Sequence, residues 1–246
     1  MEPKYAMNRV ENLLHRAAER LWTAFDHYWP AIGNNAIGEA NILSAIAQEL
    51  VAVSGLKGHM FMESPFEYED GRKDDSEDDN KRYGRVDAVA FFDDDAAGQF
   101  VGAFEAKRIF ENTGAKSILA DMERLSQFGL EKSNNQMVDD KYTQWHYCET
   151  VSIVVAMTHF ESISDWWASV EQELPQGKQS GGAWPVLAAK LRELGGDGSR
   201  DGPGRRGVLD SGEGYDAGRY FHNDPDGRSD PKLLYLIYPQ ALDKQS

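Results

Sequence analysis

Three charged residues lie in two segments that otherwise have the composition of buried strands: Asp87 in RVDAVAFF, and Glu105 with Lys107 in FVGAFEAKRI. Strands that are apolar on both faces are normally covered on both sides, and a charge within one costs free energy unless it is paired. Two carboxylates beside a lysine are side chains that can hold a hard divalent cation and act on a phosphate ester. We therefore take these three residues as the candidate site and ask which elements position them.

The two segments are predicted to form a β-hairpin. Positions 87 and 105 are symmetric about Ala96, which lies in the acidic, glycine-containing turn DDDAAG. Antiparallel pairing in this register would place Asp87 opposite Glu105, with about 5 Å between their Cβ atoms. Glu105 and Lys107 are two residues apart and so share a face of the sheet. A slip of one residue would send Asp87 to the other face, so the register decides the site.

A helix predicted at residues 35–53, which follows an amphipathic helix at 4–29, adds a third carboxylate. At about 100° per residue, Glu39 falls in the middle of the apolar stripe that contains Leu43 and Leu50. A carboxylate on a core-facing stripe needs a partner, so Glu39 is a candidate for the same site. The alternative is that Glu39 favours the helix dipole from the first turn, and the sequence leaves both open. With Glu39 included, three carboxylates face one lysine, and this set suits Mg²⁺ with retained waters.

The rest of the chain alternates between strand and helix patterns. We predict strands at 59–69, 149–157 and 233–238, and helices after Thr113, after Ser164 and at 184–194. Pro65 indicates an edge or bulge in the first of these strands, and His159 is expected in an exposed loop. Residues 195–228 hold ten of the 23 glycines without an apolar period, which predicts a mobile loop. The fold class is therefore α/β, with a mixed central sheet flanked by helices in a single domain, 1–246.

Asp87, the 17 residues after it and the tripeptide Glu105-Ala106-Lys107 resemble the PD-(D/E)XK nuclease superfamily, which has the restriction-endonuclease-like fold. The α-β-β-β-α-β core of that fold has the order expected for residues 35–158, here with an N-terminal helix and a C-terminal extension. The resemblance implies that Lys107 is the catalytic lysine and that Mg²⁺, or Mn²⁺ in its place, is the cofactor. The metal ligands it implies are Asp87, Glu105, the Ala106 carbonyl and Glu39, and the catalytic set is Asp87, Glu105, Lys107 and Glu39. The implied activity is phosphodiester hydrolysis of nucleic acid, by a DNA endonuclease of restriction or phage-defence type.

The formal net charge of −15 opposes this function at long range, because phosphate binding usually uses a basic surface. Much of the excess is local, since residues 67–79 hold eight acidic side chains. We interpret 67–79 as a solvated loop, with a protein-binding segment as the alternative. The competing interpretations are a catalytically inactive nuclease-fold binding or regulatory module, an acidic subunit of a larger nucleic-acid-processing complex, and a salt-bridge network without function.

Composition predicts the cellular setting. The single cysteine, Cys148, cannot form an internal disulfide, which fits a reducing compartment. The chain has no run of 18 apolar residues, and its charged N-terminal segment lacks the apolar core of a signal peptide. We therefore expect a cytoplasmic protein with no membrane contact and with DNA as its main partner. The oligomeric state stays open, with a homodimer among the alternatives.

Overall fold

The computed structural model describes residues 3–27, 38–53, 56–69, 81–95, 98–109, 114–129, 148–169, 182–195, 202–210 and 228–240. These residues form five helices and six strands. In chain order they are α1 (Pro3–His27), α2 (Glu39–Ala52), β1 (Leu56–Glu69), β2 (Lys81–Asp94), β3 (Gly98–Ile109), α3 (Gly114–Gln127), β4 (Glu149–Phe160), α4 (Glu161–Ser169), α5 (Ala183–Gly195), β5 (Arg205–Leu209) and β6 (Arg228–Pro239).

The six strands form one mixed sheet in the order β1-β2-β3-β4-β6-β5. β1, β2 and β3 pair antiparallel, β4 lies parallel to β3, and β6 and then β5 extend the sheet antiparallel. β3 and β4 are central and almost wholly buried, as their apolar sequences predict. β1 lies at the edge, where Pro65 is tolerated because one side of the strand has no strand neighbour among the described residues.

Helices cover both faces of the sheet, and the strand side chains alternate between the two layers. In β4, Ile153 and Val155 pack with α1 and α2, whereas Val154 and Ala156 pack with α3, α4 and α5. Burial on both faces is the reason that these strands lack a polar face. None of the described helices combines the length and the apolar content needed to cross a membrane.

Two sequence predictions outside the hairpin are wrong. The loop predicted at 195–228 contains β5, which pairs with β6 and whose Arg205 and Arg206 are buried. Both guanidinium groups donate buried hydrogen bonds to backbone carbonyls, those of Gly204 and Leu191, so charged residues take the place of the apolar pattern that would have predicted the strand. His159 is a buried residue of β4 rather than part of an exposed loop. The rest of the glycine-rich segment (196–201 and 211–227) and most of the acidic segment (70–80) lie outside the described residues.

Candidate functional site

The hairpin of β2 and β3 has the register that its sequence predicts. Its pairs run from Asp94–Gly98 to Ala88–Phe104, all symmetric about position 96, and Gly98 has the left-handed φ of 69° that glycine tolerates. Asp87 and Glu105 are the next opposing positions after the last pair. The candidate carboxylates therefore flank the point where the two strands stop pairing.

The backbone is irregular around Asp87. Val86 packs in the layer beneath α3 and Ala88 packs beneath α1 and α2, so the alternation of side chains is interrupted between them. In β1, Glu63 lies between the residues that pair with Val86 and Ala88, and its φ is 55°. Non-glycine residues rarely adopt a left-handed φ, and such strain clusters at functional sites. The irregularity marks the candidate site as a position where the sheet departs from regular geometry.

A hydrogen bond ties Asp87 to the next strand. Its Oδ2 atom accepts the backbone N–H of Ala106 at 2.8 Å. The Ala106 side chain is buried, so this residue contributes to the site through its backbone. The Asp87 carboxylate is thereby held across the strand opening, toward Glu105 and Lys107.

Glu39 joins the site from the start of α2. It is the first residue of the helix, and its Oε1 accepts the backbone N–H of Arg108 at 3.2 Å. Glu39 lies on the same face of α2 as the buried residues Leu43 and Leu50, but at the end of that face, where its side chain is 41% exposed. The buried carboxylate of α2 is instead Glu49, which is paired with Arg16 and Arg20 of α1. The helix begins at Glu39, and the first turn directs its side chain toward the end of β3.

Lys107 is surrounded by carboxylates from three elements. Its Nζ atom lies 3.9 Å from Glu39 Oε2, 3.9 Å from Asp87 Oδ2 and 3.4 Å from Asp121 Oδ2. Burial acts to lower the pKa of Lys107, but Asp121, Asp87 and Glu39 outweigh it and raise the pKa above its ordinary value. The structure thus brings the lysine together with two of the predicted carboxylates and with one that was not predicted.

Glu105 is fully buried and is held by an arginine of α3. Arg124 donates from Nε to Oε1 and from Nη2 to Oε2, both at 3.0 Å, which is a forked, two-bond ion pair. Arg124 also contacts Asp121, which is 1% exposed. Burial raises the pKa of Glu105 to about 8 against the opposing effect of Arg124, and it raises the pKa of Asp121 to about 6. The hydrogen bonds to Glu105 raise the pKa of Arg124 in turn.

The site therefore contains four carboxylates (Glu39, Asp87, Glu105 and Asp121) and two cations (Lys107 and Arg124). Oxygen donors in excess of positive charge are the donor chemistry that a hard divalent cation requires. The side chains are not arranged to bind such a cation, because Arg124 occupies both oxygens of Glu105. Within the described part of the chain, no group of three His, Cys, Asp or Glu side chains is placed to hold a metal ion. The donors fit Mg²⁺, and their present positions do not.

Comparisons with known proteins do not identify the chain. No protein-family model, no curated protein and no solved structure matches it. The resemblance to PD-(D/E)XK nucleases therefore depends on the motif, on the hairpin register and on the contacts described above.

Asp121 and Arg124 are the site residues that the sequence reasoning missed. The signal was available, since Asp121 lies one turn after Ile118 and one turn before Leu125, both buried on the inner face of α3. An acidic residue at that spacing needs a buried partner, by the same argument that was applied to Glu39. Arg124, three residues further along the helix, is that partner.

Proposed function

We propose that this protein is a metal-dependent nuclease of the PD-(D/E)XK type that hydrolyses phosphodiester bonds, with DNA as the substrate. The observation that carries the proposal is the position of Lys107, whose Nζ lies within 3.9 Å of both Asp87 and Glu39 where β2 and β3 stop pairing. Three separate elements converge on that lysine, and an incidental surface ion pair would not require this. A DNA endonuclease of restriction or phage-defence type is the specific form that we propose.

The order of elements supports the proposal. From α2 to β4 the chain runs helix, three antiparallel strands, helix and a strand parallel to the third. This is the order that the motif resemblance implies for the common core of such nucleases. On this interpretation α1 is the N-terminal addition, and β5 and β6 with α4 and α5 form the C-terminal extension.

Each residue then has a role that its position allows. Mg²⁺ would be held by the carboxylates of Asp87, Glu105 and Glu39 with the carbonyl of Ala106, and it would polarise the phosphoryl oxygen and activate a water. Asp87 is oriented by its hydrogen bond from the Ala106 N–H. The Lys107 ammonium group supplies a positive charge for the phosphate oxygens, where charge develops during hydrolysis.

The acidity of the chain affects how the substrate is reached. The net charge of −15 repels nucleic acid at long range, before the substrate can contact the site. We propose that a basic partner subunit brings DNA to the site. The isolated protein should then bind DNA weakly and with a shallow dependence on salt, because it neutralises few phosphates by itself.

Cleavage of supercoiled plasmid in the presence of Mg²⁺ tests the proposal. Lys107→Ala should reduce the rate at least about 100-fold, the usual cost of losing one group that stabilises transition-state charge. Lys116→Ala is the matched control, because Lys116 is an exposed lysine of α3. Cleavage by Lys107→Ala at the wild-type rate would show that the assigned mechanism is wrong.

A second function is favoured by one specific observation. Arg124 binds both oxygens of Glu105, and among the described residues no group of three ligands is placed for a metal, as expected of a nuclease fold that serves only for binding or regulation. Titration calorimetry with Mg²⁺ separates the two functions. Mg²⁺ binding by the wild-type protein that is lost in Asp87→Asn supports the nuclease. If the wild-type protein binds no Mg²⁺, the result supports the binding module.

A further inference from the structure

Arg124 occupies the carboxylate that the proposed metal needs. Both Glu105 oxygens accept hydrogen bonds from its guanidinium at 3.0 Å. Glu105 is 0% exposed, and a buried carboxylate must have a counter-charge. Arg124 is that counter-charge in the structure as it stands.

A second carboxylate is placed to retain the arginine. Asp121 contacts the Arg124 guanidinium through Oδ1, and its Oδ2 lies 3.4 Å from Lys107 Nζ. Asp121 thus bridges the two cations of the site. The Arg124 side chain is 37% exposed, in contrast to both of its carboxylate partners, so the arginine has room on the solvent side.

We propose that Arg124 is a positioning residue that fills the Glu105 site until a divalent cation binds, and that it then leaves Glu105 while Asp121 keeps it beside Lys107. This inference rests on the proposed nuclease function. A divalent cation that binds an oxygen of Glu105 would weaken this forked ion pair, because the two positive charges repel each other and compete for a carboxylate that Arg124 already binds through both oxygens. The cation brings the larger charge, and Asp121 gives the displaced arginine a partner that it already contacts.

The ion pair of Glu49 provides a built-in comparison. Glu49 is also a buried carboxylate held by arginines, with Arg20 Nε at 2.7 Å and Arg16 Nε at 2.9 Å. Glu49 lies on α2 and pairs with α1, and the interactions recorded for it among the described residues involve these arginines and none of the four site carboxylates. We assign it a purely structural role, so its arginines should not respond to a divalent cation.

Nuclear magnetic resonance of the arginine Nε–H groups in the full-length, ¹⁵N-labelled protein tests the inference without measuring activity. The Arg124 signal is assigned by its loss in Arg124→Lys. Mg²⁺ is then titrated against NaCl of equal ionic strength. We expect the Arg124 Nε–H signal to shift or broaden with the same midpoint as the backbone amides of Ala106 and Lys107, while the signals of Arg16 and Arg20 stay fixed.

The outcomes are distinguishable. If the Ala106 and Lys107 amides titrate with Mg²⁺ and the Arg124 signal does not, the metal binds without displacing the arginine, and this inference alone is overturned. If no amide in the site responds to Mg²⁺, the proposed nuclease function fails and the displacement fails with it. If the Arg16 and Arg20 signals move together with that of Arg124, the response is not specific to the site and the inference is likewise overturned.

Discussion

The carboxylate of Asp87 accepts a hydrogen bond from the backbone N–H of Ala106 at 2.8 Å, across the point where β2 and β3 stop pairing. This bond takes the place of the regular strand pairing at that position, and it fixes the side chain of Asp87 relative to the tripeptide Glu105-Ala106-Lys107. The bond uses one carboxylate oxygen and does not depend on the negative charge, because an amide oxygen could accept the same N–H. The structural and electrostatic contributions of Asp87 can therefore be separated by mutation.

Asp87→Asn should remove Mg²⁺ binding and cleavage while leaving the fold intact. The asparagine oxygen keeps the bond to Ala106, so we expect the free energy of unfolding to change by less than about 1 kcal/mol. Loss of outer-shell partners of a metal costs about 10- to 100-fold, so loss of a direct ligand should lower Mg²⁺ affinity by at least that factor. Calorimetric titration and denaturant unfolding measure the two effects.

The control for Asp87→Asn is Asp93→Asn, which makes the same chemical change at an exposed position of β2. This control should change neither the Mg²⁺ affinity nor the free energy of unfolding. Equal Mg²⁺ affinities for the two variants would contradict the assignment of Asp87 as a ligand.

The site could be predicted from sequence where local rules decide the structure. The symmetric turn fixed the pairing of β2 with β3, and period two placed Glu105 and Lys107 on the same face, toward α3. The irregular backbone at Glu63 and Asp87 has no comparable signal, because it depends on pairing between residues that a turn does not connect. The contact of Arg124 with Glu105 has no local signal either, since it joins residues 19 positions apart on different elements; only the position of Asp121 on the inner face of α3 indicated a buried charge there.

Glu39→Gln should have a weaker effect than Asp87→Asn. Its side chain is 41% exposed, so water screens its charge, while glutamine can still accept the Arg108 N–H. We expect Mg²⁺ affinity to fall by about fivefold, which corresponds to about 1 kcal/mol. Glu19→Gln, the same change at an exposed position of α1, is the control. A loss as large as that of Asp87→Asn would contradict this prediction and would show that Glu39 holds the metal directly rather than through a retained water.

Glu49→Gln should destabilise the fold without changing Mg²⁺ binding. Burial acts to raise the pKa of Glu49, but the hydrogen bonds and charges of Arg20 and Arg16 outweigh it and leave the pKa below its ordinary value of 4.5. The charged form is therefore favoured in the folded state, and its contribution is present above pH 4.5 and lost as the pH falls through the lowered pKa. We expect a loss of about 1–3 kcal/mol at pH 7 that shrinks in acid, measured by denaturant unfolding. A loss that stays constant down to pH 3 would contradict the ionic role.

Glu105 should give the opposite pH dependence in protein kept free of divalent cations with a chelator. Burial raises the pKa of Glu105 to about 8 in the folded state, from an ordinary value of 4.5. The folded protein binds this proton more tightly than the unfolded chain, so the contribution to stability is full below pH 4.5 and is lost as the pH rises through about 8. Glu105→Gln cannot ionise, so its stability relative to wild type should improve over that window, by at most about 1.4 kcal/mol per pH unit.

Denaturant unfolding of wild type and Glu105→Gln at a series of pH values from 4 to 9 measures this slope, with Glu161→Gln, an exposed position of α4, as the control. The pKa of Asp121 is also raised, and its charge interacts with Glu105, so Asp121→Asn and Asp121→Asn/Glu105→Gln are compared in the same way to separate the two titrations. A stability difference that does not change with pH would mean that Arg124 keeps Glu105 ionised throughout. In that case the forked ion pair, rather than burial, controls the charge of Glu105. A divalent cation that binds Glu105 would then displace Arg124 and would not have to displace a proton.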